Sequence, residues 1–295
     1  MSGLATNASA AQGKGSQDAQ FQAAKKKIPE QYYPLYRIVD KLSRANKLAN
    51  RTWEVKITPD YMLNGFADKS DLIVIPKPAL DSLSGDIDAM ACLVAREVSH
   101  QDRKHQAIGP AELAAIKQKI QEEAIAQAQT NENSKRGWGM GLGLVGGILG
   151  VSTTGVQNAI NSNTDNATAK MIKDKEAELA IRMSETASRI EKEADEDAFI
   201  YLTRAGRDPK GCIRYLDVLS RNPQAEANPT KPQIPGRLQA YRDFVDRESP
   251  AKYKKEGLAN LARFSKPMSF AFVRESETLK IYSGGSSVKQ SVDKF

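Results

Sequence analysis

The sequence predicts an α+β fold that is mainly helical, with a small early β-sheet and a C-terminal β-hairpin. The early strands are indicated by the alternating apolar residues Trp53, Val55 and Ile57, and by the β-branched run from Leu72 to Ile75. Helical periodicity fills most of the chain between residues 86 and 245. With 295 residues, of which 40% are hydrophobic, the chain has enough apolar material for a core.

The elements follow from local patterns. A first helix is predicted over residues 28–50, ahead of the two strands, and Asp86 precedes a largely buried helix over residues 87–104. Further helices are predicted over 110–129, 167–205 and 209–219, and through Leu238, Tyr241 and Phe244. The second of these, over residues 167–205, ends at Gly206, with Pro209 beyond it, as expected for a helix terminus. Alternation at Phe270, Phe272, Leu279 and Ile281 predicts the hairpin.

These patterns suggest three regions. Residues 1–27 are rich in Ala, Gly, Ser and Gln and read as a disordered tail, and their lack of an apolar stretch excludes a signal peptide in the sequence as given. Residues 28–245 form the main domain, with a Gly-rich insertion at about 130–166, and residues 246–295 form a C-terminal extension.

Charge and cysteine content say less about function. The chain has 43 Lys and Arg against 36 Asp and Glu, a net charge of +7, and no motif for reading nucleic acid accompanies this excess. We therefore expect no nucleic-acid partner. Cys92 and Cys212 lie in apolar stretches and are expected to be buried free thiols.

The uncharged stretch Gly137–Val156 contains the pattern G-x-G-x-x-G from Gly141 to Gly146. A dinucleotide-binding turn needs a strand before this pattern, and here the polar residues 131–136 precede it, so nucleotide binding is not expected. The stretch is predicted to be a loop or lid over a cleft, or alternatively a hairpin that touches a membrane.

The segment that carries chemistry runs from Ala95 to His105. On a helix, Arg96 and His100 lie one turn apart on the same face, with Glu97 beside them. In H-E-x-x-H zinc hydrolases this spacing directs two imidazoles at one metal ion, and the glutamate activates the metal-bound water. In this chain Arg96 stands where the first histidine would be.

Several blocks of the chain, in the same order, resemble one zinc metallopeptidase family. They are Trp53-Glu54-Val55, Asn64-Gly65-Phe66-Ala67, the strand Leu72–Ile75, the helix from Asp86 to His105, the block Glu191–Asp195 and the block Ala205–Pro209. The family comprises the CAAX prenyl proteases, the HtpX-type heat-shock proteases and envelope assembly proteases (peptidase family M, number forty-eight). The resemblance covers about residues 30 to 245. It implies a gluzincin-like fold, a zinc cofactor, proteolysis of polypeptides and a location in the cell envelope or at a membrane.

The resemblance also implies roles for individual residues. Glu97 corresponds to the general base, while His100 and Glu191 correspond to zinc ligands. Asp195 corresponds to the acid that orients a ligating histidine, and His105 to the histidine that closes the first motif. A further family block, threonine-histidine-proline, would fall on Arg221-Asn222-Pro223, which lacks the histidine.

The residue at position 96 decides the functional expectation. A guanidinium cannot ligate zinc, so His100 and Glu191 alone would leave a two-ligand site with a positive charge beside it, and zinc should be weakly bound or absent there. We therefore expect Arg96 to replace the ion by pairing with Glu191 or Glu97, which would make the chain a pseudopeptidase that binds polypeptide in a chaperone-like or regulatory role.

Three alternatives remain open. A shifted metal site could recruit Asp195, and an atypical zinc endopeptidase could use Glu97 as its general base. The third alternative is a structural protein of an envelope complex that docks through the helix from Pro110.

Overall fold

The computed structural model describes residues 18–59, 71–105, 114–120, 123, 166–221 and 234–283. These residues belong to two compact units, the first with residues 18–59, 71–105, 190–221 and 234–283, the second with residues 114–120, 123 and 166–189. The first unit is mainly helical with one four-stranded mixed sheet, so the α+β class predicted from the sequence is confirmed. The elements are the helices 18–27 (α1), Tyr32–Ala45 (α2), Lys77–Ser82 (α3), Ile87–Asp102 (α4), Asn166–Arg204 (α5), Gly211–Ser220 (α6), Ile234–Arg247 (α7) and Pro250–Arg263 (α8), and the strands Trp53–Thr58 (β1), Leu72–Pro76 (β2), Ser269–Val273 (β3) and Thr278–Tyr282 (β4).

The early strands and the C-terminal hairpin belong to the same sheet, whose order is β2-β1-β4-β3. Strand β1 pairs in parallel with β2 and antiparallel with β4, with Val55 opposite both Ile73 and Leu279. These three side chains are buried in the core. The predicted hairpin is therefore present, and it completes the sheet that the sequence places at the start of the domain.

Helix α2 covers this sheet through its tyrosines. The Tyr36 hydroxyl donates to the Met268 carbonyl oxygen at 2.7 Å, and the Tyr36 ring packs edge-on against Phe270. Tyr32 packs in the same way against Phe272. Long-range contacts of this kind fix the sheet from one side, while α4 packs against β2, α2 and α6 from within the core.

The first helix corrects a prediction. Residues 18–27 belong to the region predicted as a disordered tail, yet they are helical. Their alanine-rich composition favours helix, and Phe21 and Ala24, three positions apart, share one face. Ala24 is buried in the core, and Phe21 packs edge-on against Tyr36. Apolar contact therefore orders this part of the predicted tail.

The second prediction that fails concerns the cysteines. Cys92 on α4 and Cys212 on α6 form a disulfide, with their Cα atoms 5.1 Å apart. Both were expected to be free thiols, because their sequence separation of 120 gives no hint of proximity. Gly211 allows the close approach, since a Cβ at this position would lie 2.5 Å from the backbone carbonyl of Asp88.

The second unit is described in part. Residues 114–120 are helical, and Ile120 is fully buried against Ile116 and Leu179. In α5, Arg182 pairs with Glu178 at 2.6 Å and also with Glu123. The Gly-rich stretch 137–156, the motif residues 64–67 and residues 222–223 lie outside the described residues. None of the helices within the described ranges is both long and apolar enough to cross a membrane.

Candidate functional site

The candidate site is built on α4 and the last turns of α5. Asp86, which the sequence places directly before this helix, caps α4 by accepting a hydrogen bond from the Ala89 backbone N–H at 3.0 Å. The helix begins at the next residue. Helix α4 is largely buried, including Arg96, of which 4% is exposed. On α5, Glu191 and Asp195 lie one turn apart on one face, and both are buried.

Arg96 binds both of these carboxylates. Its Nε donates to Asp195 Oδ1 at 2.6 Å, and its Nη2 donates to Glu191 Oε2. Nη1 donates to the Tyr215 hydroxyl on α6 at 3.4 Å, and the guanidinium carbon lies 5.7 Å from the centroid of the Tyr215 ring. The pairing of Arg96 with Glu191 that the sequence suggests is present, and Asp195 takes part as well.

A second arginine, Arg237 on α7, binds the same two carboxylates. Its Nη1 lies 3.0 Å from Glu191 Oε2, its Nη2 donates to Asp195 Oδ1 at 2.9 Å, and its Nε donates to Asp195 Oδ2 at 3.0 Å. The side chain of Arg237 is 9% exposed. Two guanidinium groups and two carboxylates therefore form a closed, charge-balanced cluster, which we call the arginine–carboxylate cluster.

Arg96 keeps its positive charge although it is buried. Desolvation by itself lowers the pKa of the guanidinium, but the carboxylates of Asp195 and Glu191 outweigh it and hold the pKa above its ordinary value. The neighbouring Tyr215 hydroxyl stays neutral, because burial raises its pKa more than Arg96 and Arg237 lower it. Near neutral pH Arg96 is therefore charged and the Tyr215 hydroxyl is protonated.

The other predicted site residues lie around this cluster or at the C-terminal end of α4. Glu97 is half-buried on α4 and acts electrostatically on both Arg96 and Tyr215. The Nδ1 atoms of His100 and His105 are 3.3 Å apart, and His105 Nε2 lies 3.0 Å from Glu193 Oε2 on α5. Within the described part of the chain, no group of three or more His, Cys, Asp and Glu residues is placed to hold a metal ion.

A third set of contacts joins α4 to α5 beyond the cluster. Asp197 is buried and accepts hydrogen bonds from the Ser99 hydroxyl at 2.7 Å and from the Arg103 Nε at 2.6 Å. The Tyr201 hydroxyl donates to Asp102 at 2.7 Å. These contacts, like those of Arg237, were not predicted. The sequence has an acidic residue at every second position from Glu191 to Asp197, but the partners of these acids at α4 lie about 90 residues earlier in the chain.

Comparison with protein-family models, curated proteins and solved structures gave no match to this chain.

Proposed function

We propose that this protein is a pseudopeptidase of metallopeptidase-like, gluzincin-like fold that binds polypeptide in a chaperone-like or regulatory role. The observation that supports the proposal is the buried arginine–carboxylate cluster. In it Arg96 stands at the position of the family's first zinc histidine and pairs with Glu191, which corresponds to the family's carboxylate ligand. The family resemblance supplies the fold and the link to polypeptides.

The residues of the cluster do not fit a catalytic zinc ion. Such an ion needs three protein ligands and an open position, and a guanidinium has no lone pair to donate. Glu191 Oε2 and both oxygens of Asp195 already accept hydrogen bonds from Arg96 and Arg237. A cation entering here would meet two permanent positive charges, so we derive no catalytic step through zinc.

The cluster instead suits a structural role. Buried charges are tolerated where each has opposite charges and hydrogen bonds, and removing one partner leaves an uncompensated charge. Arg96 and Arg237 fulfil this condition for Glu191 and Asp195 from two different helices, α4 and α7. In this proposal the two arginines hold the walls of the former active site together in place of the metal.

The polypeptide would bind along β2. In the sheet formed by the described residues, β2 is an end strand that pairs on one side with β1, and all five of its residues are buried. An extended peptide can add to an end strand by main-chain hydrogen bonds where the edge is exposed, so binding along β2 requires that its outer edge become uncovered. Binding of a fluorescein-labelled, unfolded casein measured by anisotropy tests this part. Saturable binding supports the proposal, and its absence favours a purely structural role in an envelope complex.

The charge replacement has its own test. We would assay peptide-library cleavage and bound zinc for the natural chain, for Arg96→His, and for Arg96→His combined with Arg237→Gln. The structure indicates that the single change leaves Arg237 on both carboxylates, so only the double variant should bind more zinc than the natural chain does. Arg214→His is the matched control, because Arg214 pairs with Asp86 and Asp208 in an exposed position.

The proposal predicts no zinc-dependent cleavage by the natural chain. If the natural chain cleaves peptides with zinc and loses this activity in Glu97→Gln, the second candidate is correct. That candidate is an atypical zinc endopeptidase with Glu97 as base and His100 and Glu191 as ligands.

The disulfide supports a location outside a reducing compartment, such as the cell envelope that the resemblance implies. Disulfides form and persist in oxidising environments and are rare in the cytosol, and Cys92–Cys212 lies in the core beside the cluster. Contact of Gly137–Val156 with a membrane remains a proposal. Flotation with liposomes, with and without this stretch, tests it.

A further inference from the structure

We propose that His100 and His105 form a separate site for a divalent transition metal ion such as Zn²⁺, at the C-terminal end of α4. The two imidazoles supply two ligands, and water completes the coordination. The site uses neither Arg96 nor Glu191, so it does not depend on the proposed function.

The chain reversal after α4 brings the two histidines together. Lys104 adopts a left-handed backbone conformation with φ 55°, and the His105 backbone N–H donates to the His100 carbonyl oxygen at 2.7 Å. This is the hydrogen bond that closes a Schellman motif, in which glycine is the usual left-handed residue. As a result the His105 ring lies against the His100 ring, with centroids 5.3 Å apart and planes at 69°.

The spacing of the ring nitrogens fits a shared ion. A tetrahedral zinc ion with Zn–N bonds of about 2.0–2.1 Å separates two imidazole nitrogens by about 3.3–3.4 Å. The two Nδ1 atoms are 3.3 Å apart. An ion can therefore replace the proton between the two rings with little movement of either nitrogen.

Glu193 orients the His105 ring for metal binding. Its Oε2 lies 3.0 Å from His105 Nε2, within hydrogen-bond distance. A carboxylate at this distance favours the tautomer with the proton on Nε2, in which the lone pair of Nδ1 is available to a metal ion. Metal-ligating histidines commonly donate their second N–H to a carboxylate in this way, which orients the ring and increases its basicity.

The surroundings favour a cation. Both histidines are at the C-terminal end of α4, where the helix dipole is negative. The His105 side chain is 7% exposed, so its ring is held in place by packing. Glu193 contributes a negative charge on the far side of the His105 ring.

Isothermal titration of the full chain with zinc sulfate tests the proposal. We expect one equivalent to bind to the natural chain and binding to be lost in His100→Gln and in His105→Gln. Glu193→Gln should weaken binding by about 10- to 100-fold, as for other partners of ligating histidines. Lys104→Gly is the matched control, because glycine adopts the same backbone conformation without strain and should retain binding.

The outcomes separate this inference from the proposed function. If the natural chain binds no zinc, or if His105→Gln binds it as well as the natural chain does, the two-histidine site is wrong and the pseudopeptidase proposal is unaffected. If zinc binding is instead lost in Glu191→Gln and kept in His105→Gln, the ion lies at the family position and both proposals fail. Circular dichroism of each variant shows that it is folded.

Discussion

Arg96 and Arg237 contact the same two carboxylates although they lie on different helices, α4 and α7. Each guanidinium bridges Glu191 and Asp195, so neither acid depends on one arginine alone. The four groups act as a unit, and a change at one of them is felt by the other three.

Removal of Arg96 should destabilise the fold strongly. In Arg96→Ala, Arg237 alone would have to balance two buried carboxylates, and breaking buried pairs of this kind costs about 3–5 kcal/mol. The free energy of unfolding from urea titration measures this. Arg214→Ala removes an exposed arginine with two acidic partners and should cost under about 1 kcal/mol. Equal losses in both variants would show that the cluster contributes no more than a surface pair.

The disulfide should contribute measurably to stability. Cys92 is one helical turn before Arg96, and Cys212 is three residues before Tyr215, so the bond joins α4 and α6 next to the contact between Arg96 and Tyr215. Loss of a disulfide that closes a long loop costs about 2–5 kcal/mol. We expect dithiothreitol to lower the melting temperature of the natural chain. The double variant Cys92→Ala/Cys212→Ala should melt at the lower temperature with or without the reductant.

Alkaline pH should destabilise the protein through its buried tyrosines. Burial is the main cause of the raised pKa of Tyr36, Tyr201 and Tyr241. In the unfolded chain these hydroxyls ionise near pH 10, while in the folded chain they stay protonated, so stability is complete below about pH 10 and falls as pH rises further. Urea titrations at pH 8 and pH 10.5 measure the change. Tyrosinate absorbance at 295 nm should show part of the nine tyrosines ionising only on unfolding.

Substitution by alanine should have opposite effects on stability at two of the glycines. Gly211→Ala should destabilise the fold, since its new methyl group would lie 2.5 Å from the Asp88 carbonyl and push α6 away from α4. Gly236→Ala in α7 should stabilise it by up to about 1 kcal/mol, because nothing lies within 4 Å of the new methyl and alanine favours helix. Differential scanning calorimetry of both variants is the measurement. A Gly211→Ala protein as stable as the natural one would argue against the close approach of α4 and α6.

The sequence predicted the elements whose signals are local. Strands β1 and β2, the motif helix α4 and the hairpin all have clear periodicity or caps, and the structure has them within a few residues of the predicted bounds. Helix α8 was not predicted, because Gly257 and the charged residues around it obscure its helical periodicity. That glycine permits the helix to pass so close to α5 that a Cβ would lie 1.9 Å from the Arg204 carbonyl oxygen.

The site was predicted in part for the same reason. Arg96, Glu97 and His100 share one motif, and Glu191 and Asp195 share another, so their spacing along each helix was readable. Arg237 has no local signature and is separated from Asp195 by 42 positions. The disulfide was not predicted for the same reason, since the apolar residues around Cys92 and Cys212 do not show that their two helices are in contact.

The bond between Cys92 and Cys212 closes a covalent ring of the chain that includes the segment 106–165 and the whole of α5. A peptide bond cut anywhere inside that ring, by a processing enzyme or a contaminating protease, would open the ring without dividing the molecule. Such nicked protein would run as a single species on a non-reducing gel and as two fragments after reduction.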